Sequence, residues 1–332
     1  MNTRVLLGLV LGIFAAGGQA ATIIKIATVA PDGTAWMREM RAGADAVKKR
    51  TEDRVEIKYY PGGVMGDEPS VLRKIKIGQL QGGAFTGGEF SQTNKDAQIY
   101  SLPFLFKNLE EVDKVRVQLD PQLKKTFESV GFEAVAISGG GFAYLMSVRD
   151  VKSKDDLKAA KVWVPQGDRI AEVAIKAAGV TPISLPLADV YTSLQTGLID
   201  TVANTPAGAI AFQWHTKVKH MFDLPLTYVV GILLIDKKVF DALSAEDRKA
   251  VNEELGTAFA RLEKINRDDN VQARGALEKQ GIAIFTPNAA EAKSWEAVGI
   301  TARAELMAGH EISPEMSAAL DKALAQVRGS AK

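Results

Sequence analysis

The sequence predicts an α/β protein of two lobes joined by strands, and three observations carry the prediction. The stretch from Leu157 to Pro206 packs strand, helix, strand, helix and strand into about fifty residues, the repeat that builds a parallel sheet and places ligands at its carboxyl edge. Two apolar runs, Phe132 to Ser147 and Leu226 to Ile235, are longer than the usual strand of about 5 to 6 residues, and each contains glycine, as a chain crossing between lobes would. The chain has 332 residues, more than one hydrophobic core comfortably serves.

The elements follow in order. Thr22 to Val29 is a β-branched first strand, broken at Pro31-Asp32-Gly33, and Ala35 to Arg50 has helical spacing with Trp36, Met40 and Val47 apolar. Val55 to Tyr60 alternates as a second strand, and Glu68 to Ile77 is a helix closed by Gly78. The glycine-rich Gln81 to Glu89 is no Walker loop, because Gly88 is followed by Glu89 and not by lysine; glycines at a strand end instead let a ligand or the other lobe approach the backbone. Ser101 to Phe106 (SLPFLF) is expected to pack in the core.

Phe132 to Ser147 is expected to leave the first lobe and enter the second, with Gly139-Gly140-Gly141 as the crossing and Phe142, Ala143 and Tyr144 facing the cleft. Lys161 to Pro165 is a strand stopped by proline, Ile170 to Ala178 a helix ending at Gly179, Asp189 caps a helix through Gly197, and Leu198 to Ala203 is another buried strand. The strand ends at Trp163, Leu187 and Asn204 should then lie close together. Leu226 to Ile235 carries the chain back. Ser244 to Gln280 is one helical pattern with Val251, Leu255, Phe259, Leu262 and Leu277 on its stripe and no sustained heptads. Ile282 to Phe285 is a last strand, and helices over about Ala289 to Ala308 and Pro314 to Arg328 finish the chain.

Composition narrows the function. Residues 1–20 read as a cleavable signal peptide: a short head with Arg4, an apolar Val5 to Ala16, and small residues at Gly18 and Ala20. Without Arg4, 40 Lys and Arg (41 less one) balance 40 Asp and Glu, so no basic excess points to nucleic acid or an anionic membrane. There is no cysteine, hence no disulfide, thiolate nucleophile or lipidated cysteine. His215, His220 and His310 are the only histidines, and a spacing of five between the first two does not align a metal pair on a helix. Catalysis finds no support, and no cofactor or metal is expected.

The run from Leu157 to Asn204, with YYPGGVMGDEPSVLRKIKIGQL (59–80) and SLPFLF upstream, resembles the solute-binding subunit of tripartite ATP-independent periplasmic (TRAP) transporters. The resemblance implies a two-lobe periplasmic solute-binding fold, a long helix bracing both lobes, and capture of a solute in the inter-lobe cleft for TRAP membrane permease subunits. It divides the chain into a signal peptide (1–20), the first part of lobe I (21–138), lobe II (139–230), and a return strand, spanning helix and terminal helices (231–332). The family's usual arginine at the third position of the pentad KVWVP, which pairs with a solute carboxylate, is here Trp163. Val29, Ala143, Leu187 and Val202-Ala203 stand where acidic-solute relatives carry polar or bulky groups; Thr86 falls at a frequent polar contact, and Asn204 keeps its usual identity.

Each exchange removes support for a buried carboxylate, which left unpaired costs several kcal/mol. Trp163, Phe85, Phe142, Tyr144 and Leu187 would offer apolar area instead, and Trp214 is a candidate for contact or core. The alternative is a small organic acid held by another cation, with Arg169 or Lys217 nearest in sequence. The Trp163 form also resembles a subset of the family associated with a tetratricopeptide-repeat accessory protein and with hydrophobic ligands.

Overall fold

The computed structural model describes residues 21–329, so the expected signal peptide lies outside the described residues. β1 (Thr22–Thr28), α1 (Ala35–Arg50), β2 (Val55–Tyr60), α2 (Glu68–Lys76) and β3 (Gly82–Thr86) open the chain, with β1 parallel to both β2 and β3. Side chains set the helix starts: the Thr34 hydroxyl caps α1 at the Met37 N–H, and the Asp67 carboxylate caps α2 at the Ser70 N–H.

α3 (Leu109–Ser129) and β4 (Phe132–Ser147) follow. The second lobe is built from α4 (Lys154–Leu157), β5 (Trp163–Pro165), α5 (Arg169–Ala177), β6 (Ile183–Leu185), α6 (Val190–Thr196), β7 (Thr201–Asn204) and α7 (Pro206–Ala211). β8 (His220–Asp236) runs back, and α8 (Lys237–Asp241), α9 (Ala245–Lys279), β9 (Ala283–Phe285), α10 (Ala289–Ala308) and α11 (Pro314–Gly329) complete the fold.

The main sheet has the order β2-β1-β3-β8-β4-β7, with β9 also paired to β8. Its spine is the antiparallel pair of long strands, registered from Phe132 opposite Asp236 to Ser147 opposite His220, with irregularities at Ala134/Ala136, Gly139/Gly141 and Ala143/Leu145. β3 joins this pair at one end, β7 and β9 at the other, so the same two strands belong to both lobes. Gly141 takes φ 111°, a conformation only glycine holds without strain, in the middle of the crossing.

Two expectations need correction. β5 and β6 are parallel, but β7 does not extend them into a larger parallel sheet. It pairs antiparallel with Tyr144–Ser147 of β4 and touches β5 through a single bridge, Val162 to Thr201. At Asp200 the chain is tied to both neighbours: its carboxylate accepts the Lys161 N–H just before β5 at 2.8 Å, and its carbonyl accepts the Val148 N–H at the end of β4, along which β7 then pairs. α3 was not anticipated at all, although Asn108 caps it and Val112, Val115, Leu119, Leu123 and Phe127 repeat at helical spacing on its buried face.

α9 was expected to brace both lobes. Its 35 residues rise over about 50 Å at 1.5 Å each. Its first half packs on α1, where Arg50 pairs with Glu253 and Glu254. Its second half pairs Arg274 with Asp223 of β8 and lets Asn270 accept the Ala207 N–H of α7. Leu102, Leu105 and Phe106 of the SLPFLF segment are buried in the lobe I core. Among the described residues no helix is long and apolar enough to cross a membrane.

Candidate functional site

A cavity of ≈ 330 Å³ opens where the carboxyl ends of β1, β3, β5 and β7 meet the β4–β8 crossing. One arm runs beneath α1 and α9, over Ala84, Gly231, Ser138 and Gly140, whose small side chains leave the sheet face open against Trp36, Phe259 and Leu262. The other runs between the SLPFLF segment, α5 and α10, against Phe104, Ala174, Ile175, Trp295 and Val298. The lining is mostly carbon. Among the described residues it contains no Lys, Arg or His, and its only titratable side chains are Glu89 and Asp168.

Trp163 sits at the centre, 5% exposed, with its ring edge-to-face on Trp214 at 5.3 Å. Its indole N–H donates to the Leu185 carbonyl at 3.0 Å. That donor is thus spent within the protein, and the ring offers a solute carbon surface only.

Val29, Phe85, Thr86, Leu187 and Asn204 line the same cavity, so the strand ends at Trp163, Leu187 and Asn204 do come together. Asn204 Oδ1 accepts the Thr205 N–H at 2.8 Å, and Gly208 leaves room for it, since a Cβ there would meet Asn204 Oδ1 at 2.3 Å. Three candidates lie elsewhere. Phe142 packs edge-on against Tyr228, Tyr144 packs on the lobe II core near Asp223 and Arg274, and Trp214 is fully buried behind Trp163. Alternation explains the first two: with Ala143 turned to the cavity, its neighbours in β4 point away.

The two cations that sequence offered as substitutes are also elsewhere. Arg169 is turned to Glu172, Glu305 and Glu311, and Lys217 lies over the Tyr191 ring at 5.0 Å.

Sequence reasoning missed the acidic side of the cleft. Glu89 accepts from the Thr86 hydroxyl at 2.6 Å, and Asp168 caps α5 by accepting the Ala171 N–H at 2.9 Å. Burial, helped by the Asp168 charge, pushes the Glu89 carboxyl up to about 7, and burial pushes the Asp168 carboxyl up to about 6. The segment 86–92 of lobe I meets 165–168 of lobe II here: a Cβ on Gly88 would lie 2.3 Å from Asp168 Oδ2, and one on Gly167 would lie 2.7 Å from Gln92 Nε2. The only sequence signal was negative, a glycine pair followed by glutamate.

Comparison with known proteins places this geometry. The model of the family DctP, "bacterial extracellular solute-binding protein, family 7", matches residues 26–309. The chain belongs to that family. The C4-dicarboxylate-binding periplasmic protein DctP of Rhodobacter capsulatus is 23% identical over 307 residues, covering 92% of this chain and 91% of that protein. A solute-binding protein of Chromohalobacter salexigens is 28% identical over 250 residues, 73% of this chain and 71% of its own.

Among solved structures, the sugar acid binding protein of Advenella mimigardefordensis in complex with galactonate superposes with a TM-score of 0.86 at 19% identity, covering 92% of this chain and 99% of that one, which shows the fold. The family is one of TRAP solute-binding receptors, and this member of the DctP family is a solute-binding protein with the two-lobe α/β fold.

Proposed function

We propose that this DctP-family protein captures an organic solute with a substantial apolar part and delivers it to TRAP permease subunits in the membrane. The observation that carries the reading is the cavity lining: Trp163 stands as a carbon wall with its N–H spent, and no cation faces the solute among the described residues. Each 100 Å² of apolar solute surface withdrawn from water contributes about 2.5 kcal/mol, whereas a carboxylate placed beside Glu89 and Asp168 gains no counter-charge.

Residues 21–138, rejoined by the end of β8, form one closing unit and 139–230 the other, with α9 spanning both and the bend where β4 and β8 cross. The protein acts as a receptor and not as a catalyst, after secretion to the periplasm by residues 1–20. A tetratricopeptide-repeat accessory protein is a further partner on the strength of the Trp163 substitution alone.

The alternative, a small organic acid, takes its support from relatives such as the one complexed with galactonate. It is the weaker reading, because Arg169 and Lys217 are engaged away from the cavity. A ligand panel followed by melting temperature separates the two. At a hundredfold excess over Kd a bound solute stabilises by about 2.7 kcal/mol. Apolar organic molecules should raise the melting point while galactonate and C4-dicarboxylates leave it unchanged; the reverse pattern overturns the proposal.

A further inference from the structure

A smaller cavity of ≈ 110 Å³ adjoins the cleft, walled by Asp67 and Glu68 at the start of α2, by Glu89, and from the other lobe by Gln166 and Leu187. Val29, Glu89 and Leu187 line both cavities. Three carboxyl groups thus gather where the lobes meet, Glu68 and Glu89 from one side and Asp168 from the other. Glu68 is only 5% exposed; its Oε1 accepts the Thr86 N–H at 3.4 Å, and its Oε2 has no hydrogen-bond partner. That buried oxygen is left open to a partner from a ligand.

The charges facing this group are all acidic. Glu68 feels Glu89, Asp168 and Asp67; Glu89 feels Asp168 and Asp67; Asp168 feels Glu172. Arg169, next to Asp168 in the chain, turns outward to Glu172, Glu305 and Glu311. Burial, with these neighbours, holds the Glu68 carboxyl well above its usual range. No group of three or more His, Cys, Asp or Glu among the described residues is placed to hold a metal ion.

We propose that Glu68, Glu89 and Asp168 recognise an organic cation, the primary or secondary ammonium group of a solute whose remaining surface is apolar. The inference rests on reading the larger cavity as the solute site and adds the charge of the solute. An ammonium with N–H bonds gives the orphaned Glu68 Oε2 its donor, brings a positive charge to Glu89 and Asp168, and leaves an alkyl or aryl body for the carbon-lined arms. A quaternary ammonium has no N–H and fails the first requirement. An ammonium favours the ionised carboxylates, so its affinity rises as pH rises through about 6 to 7, with release of the protons still held by Glu68 and part of Glu89.

The test is calorimetric titration of the secreted protein, after removal of carried-over solute, with n-octylamine, octyltrimethylammonium, octanoate and 1-octanol. The amine should bind at least about tenfold tighter than the other three and release protons, counted by repeating the titration in buffers of different ionisation enthalpy. Glu89→Gln and Asp168→Asn, the latter keeping a capping side chain, should weaken the amine about tenfold more than they weaken 1-octanol. Binding of 1-octanol with no preference for the amine overturns the ammonium proposal and leaves the apolar cleft standing. A preference for octanoate also overturns it, and failure of all four to bind overturns both readings.

Discussion

Trp163 shows what a single residue decides in this cleft. Its ring fills space between Trp214 and the solute cavity, and its N–H is held by Leu185, so it contributes neither charge nor a donor. Trp163→Arg should cost about 2–4 kcal/mol of stability through the lost ring packing, and should create measurable affinity for small carboxylates by placing a cation at the cavity centre. Titration calorimetry with succinate reads the gain directly; no gain would mean that Trp163 is not what excludes carboxylates. Glu89 makes a second prediction. Its folded-state value of about 7 lies above that of an ordinary glutamate, so the native state keeps its proton where the unfolded chain has lost its own. Its contribution to stability is therefore fully present below the usual carboxylate range and is lost as pH rises to about 7. Glu89→Gln should flatten the fall in melting temperature between pH 5 and 8, and an unchanged profile would contradict the burial argument. Trp163's place on the cavity was legible because it stands at the end of a short strand stopped by proline. Glu89 and Asp168 were not, since 79 positions of chain separate them and only the folded lobes bring them together.

At the scale of elements, α9 does more than brace. Glu263 accepts the Gly139 N–H, Asn266 donates to the Gly139 carbonyl, and Asn270 donates to the Gly140 carbonyl, so three side chains one turn apart hold the β4 crossing. Asn270 also accepts the Ala207 N–H and blocks any Cβ at Gly141, whose nearest contact would be Asn270 Nδ2 at 2.5 Å. Asn270→Ala leaves the Gly140 carbonyl and the Ala207 N–H without these bonds, at a cost of about 1–3 kcal/mol. Amide hydrogen exchange should quicken at 139–141 and 207 while the α1 core stays protected; uniform exchange throughout would show that α9 does not control the crossing. Gly88→Ala tests the opposing seam: the added methyl meets Asp168 Oδ2 at 2.3 Å, with an ordinary helical backbone at Gly88, so it opposes closure without straining the chain. Solute affinity should fall about tenfold with the melting point of the ligand-free protein nearly unchanged, and an unaltered affinity would argue against closure at this seam. Most elements were readable from period and punctuation, α1 and β2 to the residue. β7's antiparallel partner was not, because pairing direction depends on the distant β4 edge. α3 was readable from its five-residue stripe and was overlooked.

For the whole molecule, two cores on either side of a shared strand pair explain why the chain is long, why its longest strands contain glycine, and why the cavity lies where the two halves meet. The fold is shared with a solved structure at 19% identity because the sheet and helix stripes demand only apolar residues of suitable size, whereas the cleft is set by a few side chains. Trp163, with Glu89 and Asp168 across the seam, gives this chain a carbon-lined pocket with an acidic wall. The most direct measurement is mass spectrometry of the small molecules released on denaturing protein purified from its secreted form. A near-stoichiometric molecule with a large apolar part and no carboxylate is the result this account predicts. A sugar acid or a small dicarboxylate at the same ratio would contradict it.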